Sequence, residues 1–301
     1  MKKTTVAAIA LITVAASWGF AFVWMKNTIQ REPYFDFLAL RFTLAAGIMF
    51  LARPQLVKSI TAKFLARGSL LGLALGLGYV TQTIGLELST AAITGFFTGL
   101  YIVLTPLFAW LLLRQKVSLK VGISVALATV GLAFITLGGL GFDFGTISLL
   151  VCAVLFALHI VGLGKWSPGS DTYALTVIQL ASVAVVCWVG ALFNPTDPGF
   201  QVPPDQDVWN SIFFTAIFAT AIAFFVQTWA QSIMDASRVA IILTSEVIFA
   251  AVFAVMTGQE VLQLRTIIGG ALMVSAMLIV EWPSKQLKPD DVTPGLDPMV
   301  H

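Results

Sequence analysis

Charge is what this 301-residue sequence has least of: Asp, Glu, Lys and Arg together make up 11% of it, while 58% is hydrophobic. Soluble domains carry roughly a quarter charged residues, so a water-facing globular surface is excluded for most of the chain. The formal net charge is only +2, and no basic run interleaved with aromatics occurs, so nucleic acid is not an expected partner. Cysteine is nearly absent. Cys152 and Cys187 stand in separate apolar runs without CxxC spacing, which excludes a disulfide framework and predicts buried, inert thiols. The only histidines, His159 and His301, cannot build a metal cluster with such cysteines, and no cofactor is expected. Also missing are the G-x-x-x-x-G-K-[ST], HExxH and GxSxG motifs. Glu246 is the one acidic residue deep in a hydrophobic stretch, so paired-carboxylate or metal-assisted chemistry lacks its parts. The chain is not read as an enzyme, and any energy it uses comes from gradients.

What the sequence does have is long apolar runs. Crossing the hydrocarbon core by helix takes about 20 apolar residues. Ten stretches meet that ruler: 4–25, 34–52, 67–86, 91–113, 119–138, 144–164, 172–193, 208–231, 236–257 and 264–282. The first has a Lys2-Lys3 head and small residues at Ala15-Ala16-Ser17, as a signal peptide would. Its apolar part runs past Trp24, beyond the usual length of a cleaved signal, so it is read as a retained first helix. No span contains a central lysine, which excludes a retinal Schiff base. The tail 284–301 is polar and Pro-rich and is expected to be disordered.

Basic residues orient the spans. With a cytoplasmic N-terminus, thirteen Lys and Arg fall inside, and only Lys26, Arg31 and Arg265 fall outside. The loop at 194–207 has three aspartates, four prolines and no basic residue. This positive-inside asymmetry places both termini in the cytoplasm. An internal repeat follows the same plan. "YVTQTIGLELSTAA" from Tyr79 is similar to "FFVQTWAQSIMDAS" from Phe224 at an offset of 145, which aligns Gln82-Thr83 with Gln227-Thr228 and Phe108-Ala109 with Phe253-Ala254. A five-span unit is odd-numbered, so its second copy enters the membrane from the other side. The expected architecture is an all-α integral membrane protein: ten transmembrane helices as two inverted five-helix repeats, 1–139 and 140–283, around a central cavity. The Gly-rich stretch at 137–145 separates the copies.

Several segments carry a family resemblance. They are "ASWGFAFVWMK" in span 1, "LALRFTLAAG" in span 2, "TGLYIVLTPLFAWLLLRQKV" in span 4 and "SEVIFAAVFAVMTGQEVL" in span 9. In this order the chain resembles the drug/metabolite transporter (DMT) superfamily, EamA family, ten-helix type. Trp18-Gly19, Arg41-Phe42 and Thr105-Pro106 fit its motifs, whereas Glu246-Val247 stands where the family often has Glu-Pro. The resemblance implies a secondary transporter that exports small metabolites across the bacterial inner membrane by alternating access. It also implies amino acids as solutes, with the YddG-type aromatic amino-acid exporters the nearest branch. A receptor or scaffold, or a transporter of a drug, sugar or nucleotide-type metabolite, is the alternative. A small-molecule solute and the lipid bilayer are the expected partners, and the chain is expected to be a monomer or weak homodimer.

Polar residues within spans usually face the bundle interior or a water-filled cavity. Tyr79, Gln82 and Thr83 share one helix face; Thr94, Thr98, Tyr101 and Thr105 form another stripe; Gln227 and Gln231 sit at i, i+4. The expected substrate pathway is Trp18, Tyr79, Gln82, Thr98, Tyr101, His159, Gln227 and Glu246. Interhelical hydrogen bonding is the plainer reading for any single threonine. Arg41, Thr105 and Pro106 are expected in a structural polar network, Arg41 alternatively anchoring a solute carboxylate. His159 is either a hydrogen-bonded neutral ring or a proton relay. Glu246 is either a protonated donor in a polar network or an ionised carboxylate paired with Arg41 or with a solute ammonium.

Overall fold

The computed structural model describes residues 2–88, 91–136, 144–193, 199–258, 261 and 263–282. Among them every regular element is helical. The tail at 284–301 and the 139/140 boundary between the expected repeats lie outside the described residues. The helices fall on the apolar stretches, because in hydrocarbon each backbone N–H and C=O must find its partner within the segment. They are α1 (Lys3–Thr28), α2 (Tyr34–Ala52), α3 (Ala62–Leu88), α4 (Ala91–Gly99), α5 (Tyr101–Leu113), α6 (Leu119–Thr136), α7 (Phe144–Trp166) and α8 (Thr172–Phe193). After these come α9 (Gln206–Ala216), a π-helical turn (Ile217–Ile222), α10 (Ala223–Gln231), α11 (Ala236–Leu243), α12 (Glu246–Met256) and α13 (Leu264–Glu281). Among the described residues seven uninterrupted or nearly uninterrupted helical segments are long and apolar enough to cross a membrane, and three shorter apolar helices accompany them. Leu51, Leu119 and Leu264 are more than 70% exposed along with many other aliphatic side chains, a surface suited to lipid and not to water.

Two helical spans are broken at their middle. Between α4 and α5 the break falls at Leu100, and between α11 and α12 at Thr244-Ser245. Pro106 sits inside α5, where it removes one intrahelical hydrogen bond. The second break forms without proline: the hydroxyls of Thr244 and Ser245 turn back onto the carbonyls of Ala240 and Ile242, both at 2.7 Å. Such back-bonding competes with the regular ladder and bends a helix, so Val247 in the usual proline position does not leave this span straight.

The principal packing partners are α6 with α13, α2 with α8, α3 with α7 and α8, and α1 with α12. Small residues set the spacing. A side chain at Gly19 would come within 2.6 Å of the Ala250 nitrogen and 2.8 Å of the Glu246 carbonyl, so α1 lies directly on the first turn of α12. Gly131 meets the Gly269 carbonyl of α13 in the same way, at 2.6 Å. Ion pairs tie the two ends of α2 to the second half of the chain. Beside its start, Arg31 meets Asp205 at 2.6 Å, which also caps α9 by accepting from the Val208 N–H. At its other end, Arg53 meets Asp171 at 2.8 Å.

The turn before α2 holds an unusual carboxyl. Glu32 is 3% exposed and its Oε1 is buried without a hydrogen-bond partner. Burial, and next the neighbouring Asp36, push its pKa up to about 7. An acid whose folded pKa is raised binds more protons folded than unfolded. Its favourable contribution is complete below the unfolded value and is lost as pH rises through about 7. The melting temperature of the purified protein is expected to fall between pH 5 and pH 8, and Glu32→Gln is expected to flatten that slope. Parallel slopes in the two proteins would show that Glu32 is not the group responsible.

Candidate functional site

A small, partly open cavity of about 60 Å³ lies between the helices. Residues on both sides of the chain's midpoint line it: Trp18, Arg41, Tyr79, Gln82 and Tyr101 from the first half, and His159, Gln227 and Glu246 from the second. The apolar wall is aromatic, with Phe22, Phe156 and Phe224 completing it. Tyr79 packs edge-on against Phe156 at 5.5 Å between ring centroids, and Trp18 lies 5.6 Å from Phe224. Seven of the eight residues expected along a solute pathway therefore share one wall. The exception is Thr98. It stands off the cavity, 3.4 Å from the Gln82 amide nitrogen that donates to it; the break at Leu100 interrupts the Thr94–Thr105 stripe, and of its residues Tyr101 lines the cavity. Thr105 and Pro106 also lie off the cavity, and the buried Thr105 hydroxyl lacks a partner.

Arg41 is 1% exposed, and its partners explain how α2 tolerates it. Nε donates to Thr220 Oγ1 at 2.7 Å, Nη2 to the Ala219 carbonyl at 3.1 Å and Nη1 to Met25 Sδ at 3.4 Å. The Phe42 and Tyr79 rings lie 5.4 and 5.2 Å from the guanidinium carbon, a cation–π arrangement. Thr220 and Ala219 belong to the π-helical turn, whose wider winding displaces the backbone from the regular α ladder. Trp18 Nε1 donates to the same Ala219 carbonyl at 2.8 Å. No salt bridge joins Arg41 to Glu246, and among the described residues Glu246 has no ion-pair partner. The expected alternative in which the two charges pair is thus corrected: the guanidinium is committed to the π turn.

Glu246 opens α12. Its neighbour is the buried Tyr101, whose hydroxyl lies close to the Glu246 carboxyl and to Thr244. His159 is buried on α7, with Nε2 2.8 Å from Gln179 Oε1. Gln179 in turn donates through Nε2 to Thr228 Oγ1 at 3.1 Å. Sequence reasoning missed Gln179. It is the one amide in α8, which also carries hydroxyls at Thr172, Thr176 and Ser182, and its partner lies 20 residues away. Gln227 donates to Gln231 Oε1 at 3.3 Å, and Gln231 donates to the Ile160 carbonyl at 2.6 Å. The Gln227 Oε1 is buried with no partner. Among the described residues no cluster of metal-ligating side chains occurs, and both cysteines are free and buried.

Sequence comparison matches the chain twice to the EamA-like transporter family, over residues 5–137 and 143–282. An uncharacterized transporter of Archaeoglobus fulgidus is 32% identical over 278 residues, covering 92% of this chain and 86% of that relative. The uncharacterized transporters YetK and YvbV of Bacillus subtilis are each 25% identical, over 240 and 293 residues. YetK covers 75% of this chain and 72% of its own length, and YvbV covers 93% of both. A solved crystal structure, described only as that of a protein, has a TM-score of 0.75 over 92% of this chain and 96% of its own at 19% identity. At that identity the likeness is one of fold.

Proposed function

The chain belongs to the EamA-like transporter family, and from that premise we propose that it is a secondary transporter exporting amino acids, aromatic and large apolar ones first, by alternating access. Ten spans in two inverted five-helix repeats would cross the bacterial inner membrane with both termini cytoplasmic. The observation that carries this reading is the cavity wall. At the 145-residue offset, Gln82 corresponds to Gln227 and Tyr101 to Glu246, and all four line one cavity.

Packing supports the repeat. The same offset relates α1 to α7, α2 to α8, α3 to the α9–α10 segment, α4–α5 to α11–α12, and α6 to α13. Exchanging the halves returns the contacts to themselves. The α6–α13 and α2–α8 contacts are their own counterparts, α3 on α7 answers α1 on α10, and α5 on α7 answers α1 on α12. The two mid-span breaks, at Leu100 and Ser245, also correspond. Paired interruptions at matched positions are a pointer to a transporter's binding site, and an odd number of helices per copy makes the repeat inverted. The short helices α6 and α13 have 18 residues each, about 27 Å of helix and close to the thickness of the hydrocarbon core. Aromatic walls with a few placed polar groups suit a solute that has an apolar body and a polar head.

The test is counterflow in proteoliposomes preloaded with single amino acids, with and without a pH gradient. Saturable exchange of phenylalanine, tryptophan or leucine is expected. The absence of saturable exchange for every amino acid would overturn the reading.

A further inference from the structure

Two hydrogen-bond chains reach the cavity, and each has a direction set at its far end. A backbone carbonyl can only accept. Thr228 Oγ1 lies 2.7 Å from the Phe224 carbonyl, so its hydroxyl proton is committed there and its lone pair faces Gln179. Gln179 must then present its NH2 to Thr228 and its oxygen to His159. The oxygen accepts from His159 Nε2, so the proton of a neutral His159 resides on Nε2 and Nδ1 carries the lone pair. The second chain ends on the Ile160 carbonyl, 2.6 Å from Gln231 Nε2. Gln231 therefore offers its oxygen to Gln227, which spends one of its two N–H donors on that bond. Gln227 Oε1, an acceptor, is buried and unpartnered.

His159 and Gln227, on which the two chains end, line the cavity together with the Glu246 carboxyl. Among the described residues Arg41 is the only lysine or arginine on that wall, and its Nε, Nη1 and Nη2 are bonded to Thr220, Met25 and Ala219. A desolvated solute ammonium would meet acceptors here. A solute carboxylate would meet the same acceptors, and an anion against lone pairs is unfavourable where water is excluded.

We infer that this cavity selects its solute by the protonated amine, and that Gln179 and Gln231 are the positioning residues that set the polarity of the wall. This deepens the solute-binding reading of the cavity and rests on it. Neither glutamine touches the solute: each orients the side chain that does.

The experiment is calorimetric binding to the purified full-length protein in lipid nanodiscs at pH 7, which requires no transport and so fails independently of counterflow. Two probes share one phenyl ring, 2-phenylethylamine with a cationic end and 3-phenylpropanoate with an anionic end. The amine is expected to bind at least about tenfold tighter, as one charge-assisted hydrogen bond would give. Gln179→Met and Gln231→Met, similar in bulk but without the acceptor, are each expected to reduce that ratio to about threefold or less. Gln179→Glu, which retains an oxygen for His159 Nε2, is expected to keep it, an outcome that a packing role would not produce. Undetectable amine binding, equal affinity for the two probes in the wild-type protein, or an unchanged ratio in folded Met variants would overturn the inference.

Discussion

Arg41→Lys is expected to destabilise the protein by on the order of 2–4 kcal/mol, visible as a drop of several degrees or more in the melting temperature of the detergent-solubilised protein. Arginine and lysine are not equivalent at a site built on planar, multidentate bonding. The guanidinium reaches a hydroxyl at 2.7 Å and a carbonyl at 3.1 Å from two different nitrogens while lying within 5.4 Å of two ring centres. A lysine ammonium is one point charge and cannot satisfy Thr220, Ala219 and both rings from one position. The lost bonds leave polar groups of the π turn buried without partners, which costs more than the bonds themselves contributed. Trp18 still donates to Ala219, so Trp18→Phe with Arg41 intact is expected to have a smaller effect, and the double substitution more than the sum of the two. Transport should fall with stability, because the π turn carries the chain into α10 and Gln227. A melting curve for Arg41→Lys that superimposes on the wild type would show that the network holds nothing.

Glu246→Gln is expected to do the reverse: little change in melting temperature, and a counterflow rate lower by roughly tenfold to a hundredfold, the worth of one charge-assisted hydrogen bond. The substitution keeps the shape and an acceptor oxygen while removing the ability to ionise. No ion pair depends on the carboxylate, so folding loses little. The solute loses the one acidic group among the described residues that line the cavity. A change in the pH profile of transport should accompany the loss of rate, since the variant has no proton to bind at this position. A wild-type rate and pH profile would assign Glu246 to packing at the Gly19 contact, where its carbonyl already supports α1.

The membrane class, the positions of the helices and the presence of ionisable groups inside them were legible in the residues themselves. The cause is the solvent: hydrocarbon demands long apolar runs with internally satisfied backbones, and that demand is written locally, about 20 residues at a time. The matched glutamines could also be read, because duplication preserves spacing along the chain. What could not be read was which polar groups meet. The Thr94–Thr105 stripe looked like a continuous polar face, yet only Tyr101 reaches the cavity. Arg41 and Glu246 looked like partners by charge, but 179 residues separate Arg41 from the Thr220 hydroxyl it holds. Gln179 had no local signal for its bonds to His159 and Thr228. Single hydrogen bonds between spans are too weak and too short-ranged to leave a periodic trace in sequence. Their pairing is decided by how closely small residues such as Gly19 and Gly131 let the helices approach. The sequence alone determined that this protein lives in a bilayer and carries a few costly polar groups there. The tertiary structure decided which of those groups meet and which way they point, because that depends on how closely the helices pack.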